Sequence, residues 1–178
     1  MIQKKMSSSD RQQLILERLT NADHPITGSE FAQLTSVSRQ VIVQDVSIMK
    51  AKKIPIIATS QGYLLVDREA EPAACTQIIV CQHTPEQTKE ELYVLVDHGV
   101  FVKDVIVEHA VYGDLTASVM VGNRMEVDQF VQRITETEAA YLSTLTKGIH
   151  LHTLEADSME KIIAACQALE RAGILIPS

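Results

Sequence analysis

The sequence predicts an α+β protein in two parts. An N-terminal winged helix-turn-helix spans residues 1–67, and a ferredoxin-like β-α-β-β-α-β module with an added C-terminal helix spans 75–178. Three observations predict this. Helix-start signals at Ser9-Asp10, Thr27 and Ser38 open three short amphipathic runs. Two β-rich runs around Ser60-Gln61-Gly62 follow them as a hairpin. Beyond a charged stretch with Pro72, residues 68–74, strand and helix patterns follow in the order β-α-β-β-α-β-α.

Ser9-Asp10 can cap a first helix whose apolar residues Leu14, Ile15 and Leu19 recur at helical spacing. Thr27-Gly28-Ser29-Glu30 fits a capping box, with Ile26 and Phe31 at the staple positions, for a second helix running to about Thr35. Ser36-Val37 leaves room only for a tight turn, and Ser38 caps the third helix, with Val37 and Ile42 repeating the staple. In that third helix Ile42, Val46 and Met49 form an inward stripe. Gln40, Gln44 and Ser47 share another face, with Val43 beside them and Arg39 in the first turn.

Amides, a guanidinium and a small apolar group on one helix face suit the major groove. Gln pairs with adenine, Arg with guanine, and an apolar group meets the thymine methyl. Lys50, Lys52 and Lys53 follow where they can hold phosphates. The expected wing pairs residues 56–59 with 63–66. Taken one by one, each of these residues also fits a plain solvated helix face; the combination points to a winged helix-turn-helix that meets DNA.

Composition bears on the same point. The 178-residue chain carries a formal net charge of −7, which on its face argues against nucleic acid. Through Asp67, however, eight basic residues face six acidic ones, so the excess of acid lies wholly in the second part. Near-neutral charge in the first part calls for focused contacts, as from a dimer, instead of a general electrostatic grip. Cys75, Cys81 and Cys166 form no CxxC pair and no even disulfide framework, which fits free thiols in a reducing compartment. With no apolar run of spanning length and no secretory signal in the polar first ten residues, a soluble cytoplasmic protein without a membrane partner is expected.

In the second part, Ile78-Ile79-Val80 reads as a strand ending at His83. Thr84-Pro85-Glu86 opens a helix with Leu92, Leu95 and Val96 inward and Gly99 as its stop. Strands are expected over 101–107 and 115–121, a long helix over 127–146, a strand over 149–154 and a final helix over 158–172. Glu91 falls eight residues after His83, about two turns along the expected helix. His150 and His152 alternate in one strand, so both rings point to the same side.

Three imidazoles and one carboxylate suit a borderline divalent ion such as zinc, nickel, iron or manganese. Each histidine also fits an ordinary hydrogen-bonded role, and Cys81, which can share the His83 face, is more simply a small buried hydrophobe. His109, before Val111-Tyr112-Gly113, either orients a ligand or makes a turn. His24 reads as loop, and His98 as a helix C-terminal residue.

The stretches ITGSEFAQ, VSRQVIVQDV and GYLL, followed by CQHTPEQTKEEL, VEHAVYGDLTASV and LTKGIHLHTLEA, resemble the niacin-responsive transcriptional repressors, the NiaR family. The similarity covers nearly the whole chain, and HTPEQTKEEL and GIHLHT are its most specific parts. The resemblance implies a homodimeric repressor of genes for NAD synthesis or niacin uptake, with nicotinic acid as co-repressor. It implies a three-histidine regulatory domain holding a transition metal through His83, Glu91, His150 and His152, with nickel or zinc ahead of iron or manganese. His109 and Tyr112 match the family's HxxYG stretch and are expected in the ligand pocket. Ala110 departs from the proline common in relatives.

Two other readings compete. In one, the ion itself is the signal. In the other, a metal-dependent enzyme with Glu91 or Asp114 as base is fused to a DNA-binding domain. The enzyme reading lacks an activated nucleophile pair and a phosphate-binding glycine loop, so no catalytic residues are expected.

Overall fold

The computed structural model describes residues 6–66 and 75–177. Two compact units divide the chain near residue 70. The stretch read as a linker, 68–74, lies outside the described residues.

Helix α1 (Ser8–Thr20) begins earlier than the sequence suggests. Ser7 is its N-cap: the backbone there is extended, and its Oγ accepts the N–H of Asp10 at 3.1 Å. Ser9 and Asp10 therefore lie in the first turn, where the Asp10 carboxylate faces the positive end of the helix dipole. Helix α2 (Gly28–Thr35) has the full capping box, Glu30 N–H to Thr27 Oγ1 and Thr27 N–H to Glu30 Oε2. Ser36 takes a left-handed conformation, φ 53°, which turns the chain toward Ser38, the N-cap of α3 (Arg39–Ala51).

Strands β1 (Ile56–Thr59) and β2 (Gly62–Leu65) form the antiparallel hairpin. A feature not legible in the sequence is a third short strand contact, in which Ile26 and Tyr63 exchange both backbone hydrogen bonds. Gly62 permits it: a Cβ there would lie 2.6 Å from the Ile26 carbonyl oxygen. Ile15, Leu19, Phe31, Ile42, Val46 and Met49 close the core of this unit. Each such burial contributes about 1.5–3 kcal/mol relative to exposure.

In the second unit, β3 (Cys75–Gln82) leads into a 3₁₀ turn at Pro85–Gln87, and α4 (Thr88–Asp97) starts only after it. Glu91 is therefore one turn into the helix, not two turns from its start. The cause is the extended backbone at Thr84, whose N–H donates to Gln87 Oε1, so the chain from His83 to Gln87 makes a tight turn.

Strands β4 (Phe101–His109) and β5 (Gly113–Val121) form a hairpin. Helix α5 (Arg124–Glu136) follows, then a 3₁₀ turn at Leu142–Thr146, β6 (Ile149–Ala156) and α6 (Met159–Arg171). The long helix expected over 127–146 is thus two elements. Glu138 adopts φ 52°, and the Ala139 N–H returns to the Ile134 carbonyl, closing α5 with neither glycine nor proline to mark the stop.

The sheet order is β3-β6-β4-β5, with every neighbouring pair antiparallel. The α+β class and the element order stand as expected. One detail is corrected: the strand lying between the parallel pair β3 and β4 is the last of the module, β6, where a ferredoxin-like sheet places the third. Helix α4 packs between α5 and α6 over one side of the sheet. Leu92, Leu95, Ile162 and Leu169 meet Val102, Val121 and Leu154 in the core beneath.

Candidate metal centre and recognition helix

Three imidazoles converge on one buried carboxylate. Glu91, 0 % exposed, projects from α4 toward the sheet. His83 Nε2 lies 2.8 Å from Glu91 Oε2, His150 Nε2 3.2 Å from Oε1, and His152 Nε2 3.4 Å from Oε2. The His83 and His150 rings meet edge to face, as do those of His150 and His152.

Each ring is also fixed from behind. Nδ1 of His83 faces the Thr84 carbonyl at 2.7 Å, that of His150 the Gly148 carbonyl at 2.9 Å, and that of His152 the Asp104 carbonyl at 2.5 Å. A carbonyl only accepts, so Nδ1 carries a proton in all three rings and Nε2 is the atom turned toward Glu91. Nε2 donates to the carboxylate when a ring is protonated and presents a lone pair when it is neutral. This is also the outer arrangement that metal-bound histidines adopt, with the far ring nitrogen hydrogen-bonded to the backbone.

The backbone builds this geometry in two places. Gly148, φ +92°, lets the start of β6 lie against His83; a Cβ there would sit 2.3 Å from the His83 carbonyl oxygen. Opposite His152, the register of β4 shifts between Val102 and Ile106. That irregularity leaves Asp104 to accept His152 Nδ1 on its carbonyl and the Thr153 N–H on its carboxylate.

One ligand atom each from His83, Glu91 and His150 falls within 4.8 Å of the others, so this buried group could hold a metal ion. His152 adjoins it through Glu91. Burial alone would push the Glu91 carboxyl up. The His152 charge and the hydrogen bonds of the three rings outweigh it and hold the group well below its usual range. Burial likewise opposes charge on His83 and His152, but Glu91 outweighs it and raises both. Cys81 sits close enough to Glu91 for that charge to add to burial in keeping its thiol protonated.

A cavity of about 130 Å³ opens beside the carboxylate, walled by Leu92, Val119, Phe130, Ile134 and Tyr141, with His150, His152 and Thr88 at its polar side. Most of this wall carries no local signal, because α5 and the following 3₁₀ turn supply it across long chain separations. His109 and Tyr112 do not line it. Tyr112 is 75 % exposed, and His109 Nδ1 accepts the N–H groups of Val111 and Tyr112, which makes the turn. His98 caps α4 with Nδ1 toward the Val94 carbonyl, and His24 is an exposed loop residue.

In the first unit, Ser38, Arg39, Gln40, Gln44, Ser47, Lys50, Lys52 and Lys53 are all exposed, with Val43 half-buried among them. Three hold local partners: Ser38 Oγ accepts the Val41 N–H, Ser47 Oγ donates to the Val43 carbonyl, and Lys52 Nζ donates to Gln12 Oε1. The helix that carries them is pinned from its inner side. Asp45, missed in the sequence reading, accepts hydrogen bonds from Ser8, Arg11 and Gln12 of α1.

A helix-turn-helix unit with an exposed polar third helix, followed in the chain by a unit with a buried polar site, has the make-up of a DNA-binding regulator. Residues 11–64 match an HTH domain family, and residues 76–178 match the 3H domain family. The chain is 56 % identical over 174 residues to "Transcription repressor NadR" of Bacillus subtilis (strain 168), covering 97 % of this chain and 96 % of that one. It is 36 % identical over 167 residues to "Probable transcription repressor NiaR" of Thermotoga maritima, covering 94 % of each. The chain belongs to the NadR/NiaR family of transcription repressors. It is a repressor, not an enzyme, with DNA as a partner, and no described helix is long and apolar enough to cross a membrane.

Proposed function

We propose that this repressor binds its operator in response to nicotinic acid, controlling genes of NAD synthesis or niacin uptake from within the cytoplasm. In this reading a divalent transition ion, nickel or zinc first, is held by His83, Glu91, His150 and His152. The observation that carries it is the set of three Nδ1 atoms tied to backbone carbonyls, which aims three Nε2 atoms at one buried carboxylate. When bound, the ion supplies an open coordination position for a ring nitrogen or a carboxylate. The neighbouring apolar cavity gives an aromatic ring somewhere to sit, and this favours an organic effector over the ion alone as the signal.

On the DNA side, Arg39, Gln40, Val43, Gln44 and Ser47 read base edges while Lys50, Lys52 and Lys53 hold phosphates. Ser38 caps the helix, and in this reading the helix N-terminus meets a phosphate. The working form is a homodimer, with half-sites about one helical turn apart. An apolar strip on the sheet side opposite the helices supports this: Ile78 is 57 % exposed and Ile149 43 %, beside Leu151 and Ile106. Nicotinate favours operator binding to the extent that it binds the operator-competent dimer better than the other form.

The test is a two-stage titration of operator DNA, selected from a random pool, first with metal alone and then with nicotinate at saturating metal. The niacin reading requires the second addition to tighten binding. Full tightening by metal alone identifies the ion as the signal.

A further inference from the structure

Thr88 opens α4, one turn before Glu91 and on the same helix face. Its side chain lines the cavity beside the histidines, and the residue is 7 % exposed. Its Oγ1 is buried and has no hydrogen-bond partner among the described residues. A buried hydroxyl left without a partner costs about 1–3 kcal/mol, so an orphan at a pocket wall points to something that completes it. Thr84, four residues earlier, uses its backbone N–H on Gln87, so the capping of this turn does not call on Thr88.

The surroundings narrow the class of ligand. No lysine or arginine lines the cavity among the described residues, so an anionic group there has no cationic side chain to meet. The Thr88 N–H is taken by the Pro85 carbonyl, so its Oγ1 is the donor at the start of α4 left to meet such a group. The cavity, about 130 Å³, is close to the ~150 Å³ that holds a single benzene ring. That space seats one six-membered ring and leaves the remainder of a nucleotide outside.

We propose that the Thr88 hydroxyl is the hydrogen-bond donor that anchors the carboxylate of a one-ring aromatic acid in this cavity. This rests on the effector reading above and adds the residue that selects the acid over its amide and its nucleotides. Thr88 Oγ1 donates, a carboxylate oxygen accepts, and the apolar wall of Leu92, Phe130 and Ile134 covers the ring.

The test is calorimetric titration of nicotinate, nicotinamide and NAD into the metal-loaded full chain, for wild type, Thr88→Val and Thr88→Ser. Wild type binds nicotinate more tightly than nicotinamide and at least about tenfold more tightly than NAD. Thr88→Val keeps metal content and melts at the same or a higher temperature, because it removes an orphaned hydroxyl. It binds nicotinate about tenfold more weakly and narrows the preference over nicotinamide, and Thr88→Ser restores both. Unchanged nicotinate affinity in Thr88→Val, or an equal loss for acid and amide, overturns the role of Thr88 while leaving the effector reading intact. Failure of wild type to bind nicotinate overturns both, and tighter binding of NAD overturns the one-ring class.

Discussion

Gly148 and His83 touch backbone to backbone: a Cβ on Gly148 would lie 2.3 Å from the carbonyl oxygen of His83. This contact holds the start of β6 against the end of β3 and so sets His150 beside His83. Gly148→Ala must both move that carbonyl and hold φ near +92°, which only glycine tolerates well. We expect a loss of about 3 kcal/mol or more by denaturant unfolding, with metal content falling in step.

Glu91→Gln keeps the side-chain shape and removes the negative charge from the centre of the three rings. A carboxylate oxygen is a metal ligand, whereas the amide is a poor one. Metal affinity should fall by about 100-fold or more in competition with a chromophoric chelator, with the far-ultraviolet circular dichroism unchanged. Equal affinity in the two proteins would mean that Glu91 is only a buried hydrogen-bond acceptor.

The Arg11–Asp45 pair ties α1 to the inner face of α3, with side-chain exposures of 8 % and 2 %. Burial pushes the Asp45 carboxyl up, but the hydrogen bonds from Arg11, Ser8 and Gln12 and the Arg11 charge outweigh it, so the group lies below its usual range. Its contribution to stability is therefore complete above the ordinary carboxyl value of about 4. It is lost as pH falls through the lowered folded-state value. Asp45→Ala should flatten that acid limb and leave Arg11 buried and unpaired, at about 3 kcal/mol. Thermal melts of both proteins between pH 7 and pH 2 check the two effects together.

On α3, base-reading and phosphate-holding side chains should separate by experiment. Gln44→Ala should weaken the selected operator by about 1–3 kcal/mol and relax preference at one base pair. Lys50→Ala should weaken all sequences alike and reduce the slope of log affinity against log salt by about one. Anisotropy titrations over a salt series and a set of single-base variants measure both.

Much of this was legible because it is local. The Thr27–Glu30 box, the Ser38 cap and the alternation of His150 and His152 are all set within a few residues, and the structure has each of them. What the sequence hid is carried by distant partners or by backbone. Asp45 reads as a helix-surface charge until α1 arrives with Arg11. The stop of α5 at Glu136 has no glycine or proline, and a left-handed Glu138 does the work instead. The match to the family's HxxYG stretch puts His109 and Tyr112 in the expected ligand pocket, yet the Tyr112 ring is exposed and Phe130 and Tyr141 wall the cavity. The net acidic charge hides a similar division, since the acid excess lies wholly beyond residue 67 while Lys50, Lys52 and Lys53 stand exposed in the first unit.

The most direct test of the account is operator anisotropy for the metal-loaded wild type and the His150→Ala/His152→Ala double variant, each with and without nicotinate. The account predicts that nicotinate tightens wild-type binding by roughly 5–150-fold, the usual range of an allosteric coupling, and does nothing for the double variant. A double variant that still responds to nicotinate as wild type does would contradict it.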